Sequence, residues 1–288
     1  MSPILFHIGS YPVYAFGAML GLALIAGYQL CLRFARRDGL PEDAIGNALL
    51  LGAVAGLFGA RAAYVLADPE AFEDGGAHFF DIQTGGLMGY GGIVAGFGIA
   101  AAYLALKKTS ILKFGDALAP AGALALSFTR IGSYLYGSEF GTRLAEGSTG
   151  LLASLGTYAK WPEGTLHGPP AFLWHVRRYG LPRDAAASFP THPVQLYDAL
   201  GGLLLLGLCV RWWNRRSFDG EVLMRFALGL SALRFMTGYL REDPDRGLVS
   251  GFSHTQLFCL VLFAVTAVGL SNLRKLSRQR AAEAAADA

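Results

Sequence analysis

Long apolar runs separated by polar connections dominate the chain. About 20 residues of helix cross a bilayer core. Seven such runs are read near 13–32, 47–67, 86–106, 115–136, 195–214, 222–240 and 254–273. The expected fold is therefore an all-α polytopic membrane protein of about seven transmembrane helices, with residues 1–288 forming one integral-membrane domain. One connection is long. Residues 137–193 are rich in Gly and Pro but also carry Trp161, Phe172 and Trp174, apolar groups that need cover. They predict a small folded subdomain between the fourth and fifth helices. The terminal AAEAAADA reads as a frayed helix end.

Orientation follows from Lys and Arg placement. Arg33, Arg36 and Arg37 follow the first run, and Lys107, Lys108 and Lys113 lie between the third and fourth. Arg211, Arg215 and Arg216 follow the fifth; Arg274, Lys275, Arg278 and Arg280 follow the last. Every second connection is basic, whereas 68–85 has no Lys or Arg and carries Asp68, Glu70, Glu73, Asp74 and Asp81. The N-terminus is expected on the periplasmic side and the C-terminus in the cytoplasm, with 137–193 outside. No basic residue precedes the first run, so it does not read as a cleaved signal.

Composition agrees with this class: 53% apolar residues, 16% charged and a mean hydropathy of +0.40. A net charge of +3 without a basic–aromatic stripe argues against nucleic acid as a partner. Cys31, Cys209 and Cys259 all fall in apolar runs without metal-ligand spacing, and read as packing residues. No metal or cofactor is implied.

Charges inside the runs carry the chemistry. Arg61, Arg130 and Arg234 sit in apolar surroundings, where an arginine costs ~2.5–3.5 kcal/mol on insertion scales. At ~1.5 Å per residue all three fall in the outer half of a ~30 Å core. Arg241 follows Arg234 by seven residues and is expected on the same helix face at the rim. Candidate counter-charges are Glu139 and Asp198, with Glu242 and Asp243 at the rim; Asp116 lies too near the inner end. Either Arg61 and Arg234 pair with these acids as packing struts, or the arginines form a cationic pocket for an anionic lipid phosphate, which guanidinium grips through parallel hydrogen bonds. Three arginines at one depth favour the pocket.

Other polar groups share that level. THPVQLYDAL opens the fifth run with His192, Gln195, Tyr197 and Asp198. There His192-Pro193 sets the helix start, and Asp198 reads as a first-turn carboxylate favoured by the dipole. Arg130, Ser133 and Gly137 share a face by spacing. GGLMGYGGIVAG opens the third run with Gly85, Gly86, Gly89, Gly91, Gly92 and Gly96. Glycines so placed permit tight helix packing, the plain reading of Gly92 and Gly96, or close approach of a lipid or peptide.

On these residues the chain resembles the bacterial prolipoprotein diacylglyceryl transferases. FGARAAYVL, GGLMGYGGIVAG, FGDALAPAGALALSFTRIGSYLYGSEFG, HPVQLYDAL and ALRFMTGYLRED are similar to that family's segments along nearly the whole chain, with Asp116, Pro120, Arg130, Gly132, Gly137 and Gly141 in register. It departs from the family at several polar positions. The first-span Tyr-Gly is Phe16-Gly17, with Tyr14 nearby; a histidine is Tyr90; an asparagine is Ser133; a glutamate is Gly238. The acid after Arg130 aligns only with a shift, Glu139 being nearest.

The resemblance implies an inner-membrane enzyme that moves diacylglycerol from phosphatidylglycerol to the cysteine thiol of a preprolipoprotein lipobox peptide, in contact with membrane lipids. Arg130, Arg234, Tyr90, Ser133 and Glu139 would be catalytic. Arg61, Gly91, Gly92, Gly141, His192, Gln195, Tyr197, Asp198, Arg241 and Tyr14 would bind substrate. Arg130 and Arg234 would stabilise the phosphate, and Tyr90 could replace the histidine as proton acceptor if neighbouring arginines lower its pKa. Two alternatives stay open: a relative that binds anionic lipid or lipoprotein without transfer, and a solute transporter, against which the absence of an inverted repeat argues.

Overall fold

The computed structural model describes residues 4–9, 11–67, 88–161, 168–242, 248–249 and 251–286. The acidic stretch 68–85, Gly85, Gly86 and Asp243 lie outside the described residues. A short hairpin comes first, β1 (Ile4–Ile8) antiparallel to β2 (Tyr11–Tyr14), turning at Gly9 with φ +61°. The long helices follow: α1 (Ala15–Arg37), α2 (Glu42–Ala67), α3 (Gly89–Leu106) and α4 (Ile111–Tyr136). Two short helices, α5 (Leu151–Leu155) and α6 (Pro170–Tyr179), lie in the long connection. Helices α7 (Val194–Trp213) and α8 (Glu221–Gly238), a two-residue hairpin β3 (Leu248–Val249) and β4 (Phe252–Ser253), and α9 (His254–Ala286) complete the chain.

Six of the described helices, all of the long ones except α8, are long and apolar enough to cross a membrane. Helix α8 occupies the expected sixth run, but Glu221, Arg225 and Arg234 place three charges within its 18 residues. The apolar helices are inside-out relative to a soluble protein: Leu200, Leu204, Val261 and Val265 are each more than 60% exposed, the pattern of lipid-facing side chains. Helix α9 takes in most of the AAEAAADA tail, running to Ala286.

The chain divides into two compact units, one of residues 1–29 and 118–288, the other of residues 30–117. In the second unit, α2 and α3 pack through bare backbone. A Cβ at Gly59 would stand 2.7 Å from the Gly91 carbonyl oxygen, one at Gly96 2.7 Å from that of Gly52, and one at Gly92 3.0 Å from that of Gly56. Only glycine fits such contacts, and they exchange side-chain volume for close helix approach.

In the first unit α8 packs on both α7 and α9, and Ser127 of α4 donates to the Ala199 carbonyl of α7 at 3.0 Å. Gly132 of α4 lies against Phe16 and Met19 of α1, where a Cβ would stand 3.0 Å from Met19 Cβ. Helix α9 starts with a capping box: Ser253 Oγ accepts from the Gln256 backbone N–H, and Gln256 Oε1 accepts from the Ser253 backbone N–H, at 3.2 and 3.0 Å. Residues 137–193 carry their own core of Phe140, Tyr158 and Ala171 with Tyr134 and Trp174 against it. Trp161 stacks at a tilt on Tyr136 and Phe172 is buried, so these two aromatic residues are covered, whereas Leu151 of α5 stays exposed.

Candidate functional site

The polar site of the first unit forms where three stretches of backbone cross. Helix α4 is closed just past Tyr136 by Gly137 (φ +78°), whose N–H donates to the Ser133 carbonyl. The following strand-like stretch bridges two others, Gly141 to Arg241 beyond α8 and Arg143 to Thr191 before α7. Gly141 is the crossing point. Its N–H donates to the His192 carbonyl at 3.1 Å, and a Cβ there would meet the carbonyls of His192 and Leu240 at 2.5 and 2.7 Å. Its place is thus a backbone junction.

Glu139 is one of two non-glycine residues with positive φ (+55°) among the described residues. The left-handed backbone costs a non-glycine residue roughly 1–2 kcal/mol, and here it turns the side chain back onto α4. Its carboxylate accepts from Arg130 Nη1 and from Ser133 Oγ (3.0 Å), and pairs with Arg241 at 3.2 Å. The acid that is out of register in sequence is therefore brought to Arg130 by its backbone conformation. Burial pushes the Glu139 carboxyl up, but Arg130, Arg241 and Arg234 outweigh burial and hold it well below the usual carboxylate range.

Asp198 is the second hub, its side chain only 2% exposed. It pairs with Arg234 Nη1 and accepts from Thr237 Oγ1 at 2.8 Å. Arg130 Nε reaches it only at 3.7 Å and, though buried, makes no hydrogen bond to the described protein atoms. Arg130, Arg234 and Arg241 thus surround Glu139 and Asp198, and these five groups carry one positive charge in excess. The side chains of all three arginines are 13–15% exposed.

Two expectations change. Asp198 is the fifth residue of α7 and not a first-turn carboxylate; its charge meets Arg234 instead of the helix terminus. Helix α8 stops at Gly238, so Arg241 is aimed by its bridge to Gly141, not by a shared helix face with Arg234. The strut pairing is also rearranged, for Glu139 takes Arg130 and Arg241 while Asp198 takes Arg234.

Flanking residues have separate places. His192 is half-buried, its Nδ1 3.5 Å from the Tyr197 hydroxyl. Gln195 is buried and donates to the Ser138 carbonyl. Tyr14 closes β2 and is 39% exposed. Arg61, Tyr90, Gly91 and Gly92 belong to the second unit: Arg61 is almost fully buried with its guanidinium 5.9 Å from the Tyr64 ring centre, Tyr90 is half-buried on α3, and the bare sides of Gly91 and Gly92 face α2.

Thr237 and Tyr158 escape the sequence reading. Thr237 follows Arg234 by three residues, a spacing that could have revealed it; Tyr158 sits in an aperiodic segment that offers no such signal. Gly238, where the resembling family has glutamate, is filled from another helix: a Cβ there would stand 2.8 Å from Cγ of Gln256, the capping residue of α9.

These features define a class, a multi-pass helical membrane protein with a net-cationic cluster built at the ends of its helices. The chain belongs to the prolipoprotein diacylglyceryl transferase family, whose family model matches residues 3–271. It is 26% identical over 278 residues to the phosphatidylglycerol–prolipoprotein diacylglyceryl transferase of Clostridium tetani, covering 96% of this chain and 100% of that one. It is 28% identical to transferase 2 of Clostridium perfringens, over 97% of this chain and 98% of that one. The Thermus thermophilus enzyme of the same name is 30% identical across 83% of this chain and 82% of its own.

Proposed function

We propose that the chain transfers diacylglycerol from phosphatidylglycerol to the lipobox cysteine of preprolipoproteins, in the bacterial inner membrane with the charged cluster toward the periplasm. The observation that carries this reading is the excess of arginine over carboxylate around Glu139 and Asp198, in a chain of this family. A phosphodiester brings one negative charge and two non-bridging oxygens, which suit the parallel N–H donors of a guanidinium group.

In the reaction the cysteine thiolate attacks a glycerol carbon, the C–S bond forms, and the C–O bond to phosphate breaks. The electron pair leaves on glycerol phosphate, so charge grows on the phosphate oxygens as the bond opens. Arg130, Arg234 and Arg241 are assigned to stabilise it, the kind of preorganised donor whose loss costs about 10²–10³ in rate. Glu139 and Asp198 hold those guanidinium groups in place. Glu139 is too strongly kept as an anion to serve as base for a thiol of pKa ~8.5. Tyr90 is assigned as the proton acceptor, and Arg61, His192, Tyr197 and Tyr14 to substrate contacts.

Complementation tests the reading. Cells depleted of their own diacylglyceryl transferase should lipidate a reporter preprolipoprotein when this chain is supplied, and fail with Arg130→Ala. A correctly inserted, abundant parent chain that gives no lipidation would refute transfer. A Tyr90→Phe variant at the parent rate would remove Tyr90 from the mechanism.

A further inference from the structure

Glu139 works from a backbone conformation that it would not hold alone, so its loop must be fixed from outside. Three carbonyls of that loop are fastened by other segments. The Ala171 N–H at the start of α6 donates to Gly137 O (3.1 Å), the Glu242 N–H donates to Phe140 O (3.3 Å), and Gln195 Nε2 donates to Ser138 O (2.5 Å). The Gln195 bond is the one made by a side chain, and it acts on the peptide unit that joins Ser138 to Glu139.

Gln195 is 1% exposed, and its amide is held in turn by Tyr158, also 1% exposed. Tyr158 Oη lies 3.1 Å from Oε1 and 2.9 Å from Nε2 of Gln195. Its ring packs in the core of the long connection, and its backbone is stitched to Ser188: the Tyr158 N–H donates to Ser188 Oγ (3.0 Å) and its carbonyl accepts from the Ser188 N–H (2.8 Å). A continuous path therefore runs from the folded connection through Tyr158 and Gln195 to the backbone beside Glu139.

Resting on the transferase reading above, we propose that Tyr158 and Gln195 are positioning residues: they hold the Ser138–Glu139 peptide so that Glu139 presents its carboxylate to Arg130 and Arg241. Gln195 then acts through Glu139 and not through the lipid. The folded connection has a catalytic consequence, because its core fixes the tyrosine that orients the amide.

The test is a double-mutant cycle on the purified full-length chain, with phosphatidylglycerol and a lipobox peptide. Tyr158→Phe removes only the hydroxyl and leaves the ring in its core. It should lower kcat about three- to tenfold, a fraction of what loss of a direct transition-state donor costs, with KM for phosphatidylglycerol unchanged. In a Glu139→Gln background the same substitution should have almost no further effect, since interacting sites are non-additive. Gln195→Leu should behave alike and more strongly. Multiplicative losses in the cycle, a raised KM for phosphatidylglycerol with kcat unchanged, or a Tyr158→Phe enzyme at the parent rate would overturn the proposal.

Amide exchange in detergent separates this from the activity itself. Tyr158→Phe should deprotect the amides of residues 138–141 while α4 stays protected. A parent chain without transfer activity would refute the proposed function, and the exchange result would still decide whether Tyr158 holds the loop.

Discussion

Gly238 is a residue whose meaning depends on one neighbour. A side chain at 238 would begin 2.8 Å from Gln256 Cγ, and Gln256 is fully buried and engaged with Ser253 and the Phe235 carbonyl. Gly238→Ala should therefore cost roughly 1–3 kcal/mol by overpacking, read as a lower denaturation temperature in detergent. Gln256→Ala opens the space but removes a capping partner, so each single change destabilises. If Gly238→Ala and Gln256→Ala together lose clearly less than their sum, the clash is the cause; simple additivity would reject it. Glu139 gives the complementary case. Glu139→Gln keeps the shape but removes the carboxylate that Arg130 and Arg241 share, and should lower transfer about 10²-fold, as loss of electrostatic preorganisation does. A Glu139→Gln enzyme within a few-fold of the parent would mean that Asp198 alone orients the arginines.

Helix α6 makes a prediction about pH. His175 is fully buried between Phe140, Tyr179 and Phe189, and its Nδ1 accepts the Phe189 N–H at 3.1 Å. Burial, with Arg143 adding to it, brings its pKa down to about 4. The unfolded chain takes up this proton near pH 6.5 while the folded chain does not, so the unfolded state binds more protons between those values. Stability should fall as pH drops from 6.5 to 4, by at most about 3 kcal/mol from this residue, and level off below. Thermal denaturation of parent and His175→Gln across that range checks it; an unaltered slope in the variant would mean that other groups carry the dependence. The same scale shows what a sequence can yield. The long helices are legible because each is a local apolar run: α1, α3, α7, α8 and α9 start within three residues of the expected 13, 86, 195, 222 and 254, whereas α2 and α4 begin at 42 and 111 against the expected 47 and 115. The β1–β2 hairpin is not legible, since its residues merge with the apolar start of α1. The site arginines stand out as charges in apolar runs. What aims them is hidden: Tyr158 meets Gln195 across 37 residues and Gln195 meets Ser138 across 57, separations that leave no periodic trace. Likewise the left-handed φ of Glu139 is a property of the crossing backbones, not of its neighbours in sequence.

At the scale of the whole molecule the question is which side of the membrane each end of the helices faces. In the first unit the basic residues collect at one set of ends: Arg211 lies in the last turn of α7, and Arg274, Lys275, Arg278 and Arg280 lie far along α9. The Glu139–Asp198 cluster stands at the other ends, after α4 and before and within the start of α7. By the rule that short basic connections stay in the cytoplasm, the cluster should face the periplasm, where a preprolipoprotein presents its cysteine after its signal segment has entered the bilayer. Single cysteines introduced into the chain settle the matter, because the native thiols of Cys31, Cys209 and Cys259 are all buried. A cysteine at Glu146 or Arg178, exposed positions of the long connection, should react with a membrane-impermeant maleimide in intact cells. One at Arg215 or Arg278 should react only after the membrane is opened. The reverse pattern would put the cationic cluster on the cytoplasmic side and exclude a lipobox emerging at the periplasmic face as its substrate, whatever lipid the arginines hold.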